Sequence, residues 1–276
     1  MSRVRVGDIS INREIAGEGT SLVLIHGLGN DLGIWDADAE VFTRHHRVLR
    51  LDVRGFGQSD KPAGPYSAAM LARDVEGLMA AEGIDNAHIA GISMGGVIAQ
   101  RLALDFPARV RSLILISTSS EVSERAVASW QRLASMIEAR GFDPRTANAA
   151  RAFSPTFAER HPEVVEDMGR RNAANDPLSY AAAARAVGDY RWTDELGGLA
   201  VPVLILQGLD DQLTPPGGSV KMQRALRRAR LLLIDGAGHN LPIERPEVFR
   251  SALLGFTAGV DLSTWDAIPA SARGSE

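Results

Sequence analysis

The chain has no cysteine among its 276 residues. That absence excludes a disulfide framework, a thiolate nucleophile and any cysteine-ligated metal site, and it fits a reducing compartment. No run of about eighteen apolar residues occurs, so no membrane-spanning helix is expected. The start, MSRVRVGDIS, lacks an apolar stretch of signal-peptide length. An excess of positive charge is missing as well: the net charge is −4 and the charges are interspersed, which argues against a nucleic-acid or membrane-surface partner. The one basic cluster, RALRRARLLLI, reads as a solvated helix end leading into a strand. A cytoplasmic protein follows as the expectation, and a homo-oligomer is left open.

What is present is substantial. Hydrophobic residues make up 45% of the chain, enough for one large domain, or one domain with an insertion, around a core able to hold a rigid site. Residues 3–16 alternate crudely around a turn at Gly7-Asp8, as in an antiparallel hairpin. SLVLIHG, RVLRLD, AHIAG, VRSLILIS, VPVLILQG and RLLLID are short apolar runs that read as buried strands. Helix-like segments at 67–82, 94–106, 218–227 and 245–256 separate several of them. Apolar strands alternating with helices specify an α/β fold with a mostly parallel sheet covered on both faces.

The alternation stops between 120 and 200, where the chain turns alanine- and arginine-rich. Trp130, Leu133, Met136, Ile137, Phe153, Phe157, Val164 and Met168 recur there at helical spacing. This predicts a helical lid (120–200) inserted in a core made of 1–119 and 201–259, with 260–276 a loosely held tail. A large aromatic on an alanine-rich helix is rarely left exposed, which makes Trp130 the candidate substrate-binding residue of the lid.

The stretch HIAGISMGGVIAQ places Ser93 among Gly91, Gly95 and Gly96, between a predicted strand and a predicted helix. Each glycine costs a regular element roughly 0.5–1 kcal/mol relative to alanine. The pattern Gly91-Ile92-Ser93-Met94-Gly95 in this context is that of a nucleophile elbow, a sharp turn that needs small residues two positions either side of the serine. The helix after Ser93 also aims its N–H groups at the serine oxygen.

A serine nucleophile needs a base, and the base an orienting acid. His45, His46, His88 and His161 read as surface or capping residues, and His26 closes a strand. His239, in the loop GAGHN after a strand, lies at the same sheet edge as Ser93 and is the preferred base. In LILQGLDDQLTPP, Asp210 and Asp211 both stand at that edge, and spacing alone does not choose between them. For charge on a former carbonyl oxygen, the backbone N–H groups of Leu28, in LIHGLG, and Met94 are the natural donor pair.

HGLGND, LDVRGFGQSDKP, GISMGG, LQGLDDQLTPP and GAGHNLPIERPE together resemble the α/β-hydrolase superfamily from about residue 3 to 257. FSPTFAERHPEVVEDM and NDPLSYAAAARAV are similar to bacterial 3-oxoadipate enol-lactonases and related carboxylesterases. The resemblance implies an eight-stranded sheet with a helical lid, a Ser-His-Asp triad and no cofactor or metal. It favours Asp211 as the acid, three residues after the strand-ending Gly208. One departure stands out: enol-lactonases commonly carry Trp-Phe-Thr-Pro in the lid, where this chain has Ala152-Phe153-Ser154-Pro155.

The leading expectation is therefore hydrolysis of a small carboxylic ester or lactone through an acyl-enzyme on Ser93. 3-Oxoadipate enol-lactone itself would need a cation for its carboxylate, for which Arg132 and Arg151 are candidates. Carbon–carbon bond hydrolases of this fold usually have asparagine before the serine and an aromatic after the histidine, where this chain has Ile92 and Asn240. A ligand-binding receptor is the non-enzyme alternative, and the complete set of Ser93, Asp211 and His239 argues against it.

Overall fold

The structure, a computed structural model, describes residues 2–142 and 149–259. The tail expected at 260–276 lies outside the described residues. Eight strands run in chain order as β1 (Ser2–Val6), β2 (Ile9–Ala16), β3 (Ser21–Ile25), β4 (Arg47–Leu51), β5 (Ala87–Ile92), β6 (Val110–Ile116), β7 (Val203–Gly208) and β8 (Ala229–Ile234). They form one sheet in the spatial order β1-β2-β4-β3-β5-β6-β7-β8. β2 pairs antiparallel with β1 and β4, and every later pairing is parallel.

The uninterrupted apolar strands are explained by the two faces they serve. In β3, Val23 and Ile25 join one apolar cluster while Leu22 and Leu24 join the other. β6 divides in the same way, Leu113 and Leu115 against Ile114 and Ile116, and so does β7. A side-chain period of two sends alternate residues to opposite faces, so a strand covered on both sides must be apolar throughout. Helices Ala68–Ala81 and Met94–Asp105 cover one face; Trp35, Phe42 and Phe249, from Leu32–Trp35, Asp36–Phe42 and Pro246–Thr257, fill the other. Ser67 starts the first of these helices by accepting from the Met70 N–H.

Between β6 and β7 the chain leaves the sheet for a helical region that includes Glu124–Arg140, Pro155–Arg160, Pro162–Ala173 and Pro177–Ala186. Ser123, Ser154 and Asp176 each cap one of these helices with a side-chain oxygen. The helices rejoin the core through Trp192, whose indole N–H donates to the buried Gln100 at 3.1 Å.

Two sequence expectations need correction. β8 is not buried throughout; it is the sheet's edge, with one neighbour, and Leu233 is 43% exposed. His46 and His88, expected at the surface or in caps, are buried. His88 Nδ1 lies 2.7 Å from Ser112 Oγ, and His46 bridges Thr20 O and Thr257 Oγ1 with its two ring nitrogens. Both rings belong to the end of the sheet opposite Ser93, where His88 ties β5 to β6 and His46 ties the residue before β3 to the helix Pro246–Thr257.

Burial pushes the His88 imidazole down to about 4, helped by the neighbouring His46 and Arg111. The unfolded chain, with an ordinary histidine near 6.5, therefore binds more protons between pH 6.5 and 4. Stability from this residue is complete above 6.5 and falls as the pH drops through that window. Asp38, raised to about 6 by burial despite its Arg250 partner, acts in the opposite sense, so comparison with a variant isolates the histidine. The destabilisation caused by His88→Asn at pH 7.5 is expected to shrink by about 3 kcal/mol at pH 4, at about 1.4 kcal/mol per unit, in urea unfolding followed by circular dichroism. A pH-independent difference would refute the assignment.

Candidate active site

β5 ends at Ile92 and the helix Met94–Asp105 begins one residue after Ser93, so the chain reverses within a single residue. Ser93 adopts φ 54°, ψ −116°, a positive φ that a side-chain-bearing residue holds at a cost of about 1–3 kcal/mol. The surroundings fix it. Its N–H donates to Ile116 O at 2.9 Å, and its carbonyl accepts from Val97 N–H and Thr118 Oγ1, each at 3.1 Å. A Cβ at Gly91 would strike the Gly95 carbonyl, and one at Gly95 would strike the backbone of Ile25 and His26. The two glycines are thus required by close backbone approach. Gly96 faces the Thr118 side chain in the loop after β6.

His239 follows β8 in a loop at the same sheet edge. Its Nδ1 lies 2.9 Å from Asp211 Oδ2, with the Asp211 side chain fully buried. Asp211 accepts four further hydrogen bonds: Oδ1 from the Leu213 and Thr214 N–H groups at 2.8 and 2.9 Å, Oδ2 from Thr214 Oγ1 and Gln207 Nε2 at 2.7 and 3.1 Å. Burial raises this carboxyl, but the histidine and the converging donors outweigh it and hold Asp211 below the ordinary carboxylate range. It stays ionised. Asp210 is exposed, so the pair left open by spacing separates here: Asp211 meets the histidine.

The loop after β3 is held by a histidine in another role. His26 is fully buried, its Nδ1 donating to Gly27 O at 2.8 Å and its Nε2 accepting the Val53 N–H at 2.9 Å. Accepting at one nitrogen requires the neutral ring, and burial lowers its pKa accordingly. Asn175 Nδ2 pins the far side of the loop at Gly29 O, 2.8 Å away. A Cβ on Gly27 would sit 3.5 Å from Ser93 Cβ, so Leu28 follows a backbone segment lying directly against the serine. Met94 opens its helix, where N–H groups have no partner one turn earlier.

Ser93 sits where two cavities of about 380 and 370 Å³ meet. Leu28, Trp130 and Leu213 line both as well. Leu133, Met136, Ile137 and Met168 line the first, so their helical spacing in the sequence marks a cavity wall. Trp130 also packs: a Cβ on Gly188 would strike it at 2.6 Å, and it rests on the small cluster of Ala134, Ala181 and Ala184. Arg151 lines the first cavity together with Arg140, which the sequence did not single out. Arg132 does not; its guanidinium reaches Ser129 Oγ on the outside of its helix. No group of three or more metal-ligating side chains occurs among the described residues.

Residues 20–246 match the family model of the α/β hydrolase fold, and the chain belongs to that family. It is 30% identical over 249 residues to 3-oxoadipate enol-lactonase 2 of Acinetobacter baylyi, covering 89% of this chain and 92% of that protein. A thermophilic esterase from Thermogutta terrifontis, solved with malate bound, superposes with a TM-score of 0.89 at 30% identity, over 94% of this chain and 99% of the esterase. The enol-lactonase of Burkholderia xenovorans LB400 gives 0.88 at 29% identity, over 93% and 100%. The chain is thus a hydrolase-fold protein related to esterases and lactonases, with a mostly parallel eight-stranded sheet and an inserted helical region.

Glu244 escaped the sequence reading. It is buried, and its two carboxylate oxygens accept the Gly238 N–H at 3.0 Å and the Ser154 N–H at 2.9 Å. It thereby joins the His239 loop to the inserted region, and Asn240 N–H adds a bond to Ala152 O at 3.0 Å. Burial raises this carboxyl against the pull of both donors. Glu244→Ala would leave two buried N–H groups without acceptors, each costing about 1–3 kcal/mol. The expected outcome in urea unfolding is a loss of at least about 2 kcal/mol, with Glu244→Gln intermediate because one amide oxygen remains to accept. A neutral Glu244→Ala would show that the two loops need no such tie.

Proposed function

We propose that the protein hydrolyses a small carboxylic ester or lactone through an acyl-enzyme on Ser93. The observation that carries this reading is the buried hydrogen-bonded pair of Asp211 and His239, whose histidine lines the same cavity as a serine held at positive φ. His239 takes the Ser93 proton as Oγ bonds to the carbonyl carbon, and the Leu28 and Met94 N–H groups receive the oxyanion. Collapse expels the alcohol, or opens the lactone ring, with the proton returned from His239. Water attacks the acyl-enzyme by the same route and frees Ser93. Asp211 fixes the histidine tautomer and stabilises the imidazolium. In this reading the helices within 120–200 act as a lid over a core of 1–119 and 201–259, with Trp130 in its wall. The esterase and enol-lactonase relatives support the reaction class.

A second reading, hydrolysis of a lactone that carries a carboxylate, is favoured by Arg140 and Arg151. Both line the first cavity, and neither has a carboxylate partner among the described residues. Against it stands Ala152, also in that wall, where the enol-lactonase pattern has tryptophan. We expect an uncharged lactone or short aryl ester to be the better substrate. A preference of a hundredfold or more in kcat/KM for 3-oxoadipate enol-lactone, about 2.7 kcal/mol of transition-state discrimination, would establish the second reading instead.

Two substitutions test the roles of the residues. Ser93→Ala, checked for native circular dichroism, should abolish turnover of a simple aryl ester; a folded variant retaining more than about 1% of activity would remove Ser93 from the role, because losses at such sites are far larger. Asp211→Asn should lower kcat by roughly 10⁴-fold through the wrong tautomer, and Asp210→Asn far less. The reverse order would transfer the acid to Asp210.

A further inference from the structure

The two cavities that meet at Ser93 are chemically unequal. The first is lined by His239, Asn240, Arg140 and Arg151. The second is lined by Val97, Val122, Ala126, Val187 and Tyr190, and its described lining does not include His239. Among the described residues its charged wall residues are Lys221 and Glu121, which pair at 2.6 Å.

Proton transfer decides which part of a substrate goes where. His239 commits Nδ1 to Asp211, which leaves Nε2 as the nitrogen that exchanges a proton. When the carbon–oxygen bond to the alcohol breaks, the electron pair leaves with that oxygen and the Nε2 proton must pass to it over hydrogen-bonding distance. The departing oxygen therefore lies on the His239 side of the carbonyl carbon. The carbonyl oxygen points to the Leu28 and Met94 N–H groups. With Ser93 Oγ holding the fourth direction, the acyl chain has the remaining one.

We propose that the second cavity is the acyl pocket, taking an uncharged acyl chain, and that the first receives the leaving group. This rests on the serine-hydrolase reading above. An uncharged chain fits because, among the described residues, the wall's charges are the paired Lys221 and Glu121, and the rest is methyl groups (Val97, Val122, Ala126, Val187) and neutral hydroxyls such as Thr118 and Ser120. Trp130 and Leu213, shared by both cavities, form the partition.

The assignment is tested by narrowing one cavity at a time. Ala126 lines only the second cavity and Ala152 only the first, and both are half-buried, so a larger side chain at either fills space without entering the core. Two ratios of kcat/KM are measured on the full chain. One compares 4-nitrophenyl octanoate with 4-nitrophenyl acetate, the other 1-naphthyl acetate with methyl acetate. Ala126→Phe should lower the first ratio at least tenfold and leave the second within twofold. Ala152→Phe should do the converse. Ala126→Leu and Ala152→Leu provide the same comparison, to a smaller degree, where a phenylalanine variant does not fold. Reversed ratios would place the acyl chain beside His239 and overturn the assignment. Equal effects of both variants on both ratios would overturn it too, by showing one undivided site. In either case wild-type turnover abolished by Ser93→Ala would leave the hydrolase reading intact, whereas a wild type inert towards all four esters would overturn both.

Discussion

The backbone reversal at Ser93 is the constraint from which the rest of the site follows. A strand covered on both faces passes into a helix within one residue, and Ser93 makes that turn at a positive φ. The cost, about 1–3 kcal/mol, is small beside what surrounds it: a fully buried β5 and a helix with nine buried residues. Strain is maintained because relieving it would tear Ser93 N–H from Ile116 and shift the helix off the sheet. The missing Cβ atoms at Gly91 and Gly95 are the steric condition for this arrangement, since each would meet main chain, which cannot rotate out of the way as a side chain can.

The loops at the carboxyl edge are tied by buried polar groups, and each tie is local in chemistry but distant in sequence. Asp211 collects donors from its own turn, from Gln207 on β7 and from His239 after β8. Thr214 Oγ1 also lies 2.9 Å from Ser117 O, so its single hydroxyl hydrogen is shared between Asp211 and the end of β6. Gln207, fully buried, also accepts from Ser219 Oγ at 2.7 Å, so the helix after the acid loop is fastened to the same strand. A buried carboxylate that lost these donors would protonate, and a protonated acid no longer favours the imidazolium. The hydrogen bonds around Asp211 thus maintain charge as well as position.

This explains what could be read from the chain before its fold was known. The strands were visible because two-sided burial demands unbroken apolar runs, and the turn at Ser93 because its steric demand falls on residues two positions away. Both are short-range rules. Asp211 and Asp210 could not be told apart from spacing, since the choice depends on which side of a loop faces a residue 28 positions further on. Gln207, Thr214 and Glu244 carry no mark in the sequence, because a lone polar residue near a strand's end or outside the strands has the same local pattern whether solvated or buried. His46 and His88 were missed for the same reason, and β8 was read as buried because three leucines in a row do not reveal an edge.

The inserted region follows a different economy from the sheet. Its private apolar cluster consists of Ala134, Ala181 and Ala184, while the larger side chains Leu133, Met136, Ile137 and Met168 spend their surface on a cavity wall. Alanine on the packed side lets the helices Glu124–Arg140 and Pro177–Ala186 approach closely. Bulk is thereby reserved for the side that faces Ser93. A change of size at the half-buried Leu133 or the exposed Met136 alters the space beside the serine with little loss of core, whereas Ile137 and Met168 are themselves buried. Trp130 is the exception, since it borders both cavities and also presses on Gly188. Chemistry on the strand ends and shape in the helices are consequently separable, except at this one indole and at the Glu244 and Asn240 ties that bind the histidine loop to Ser154 and Ala152.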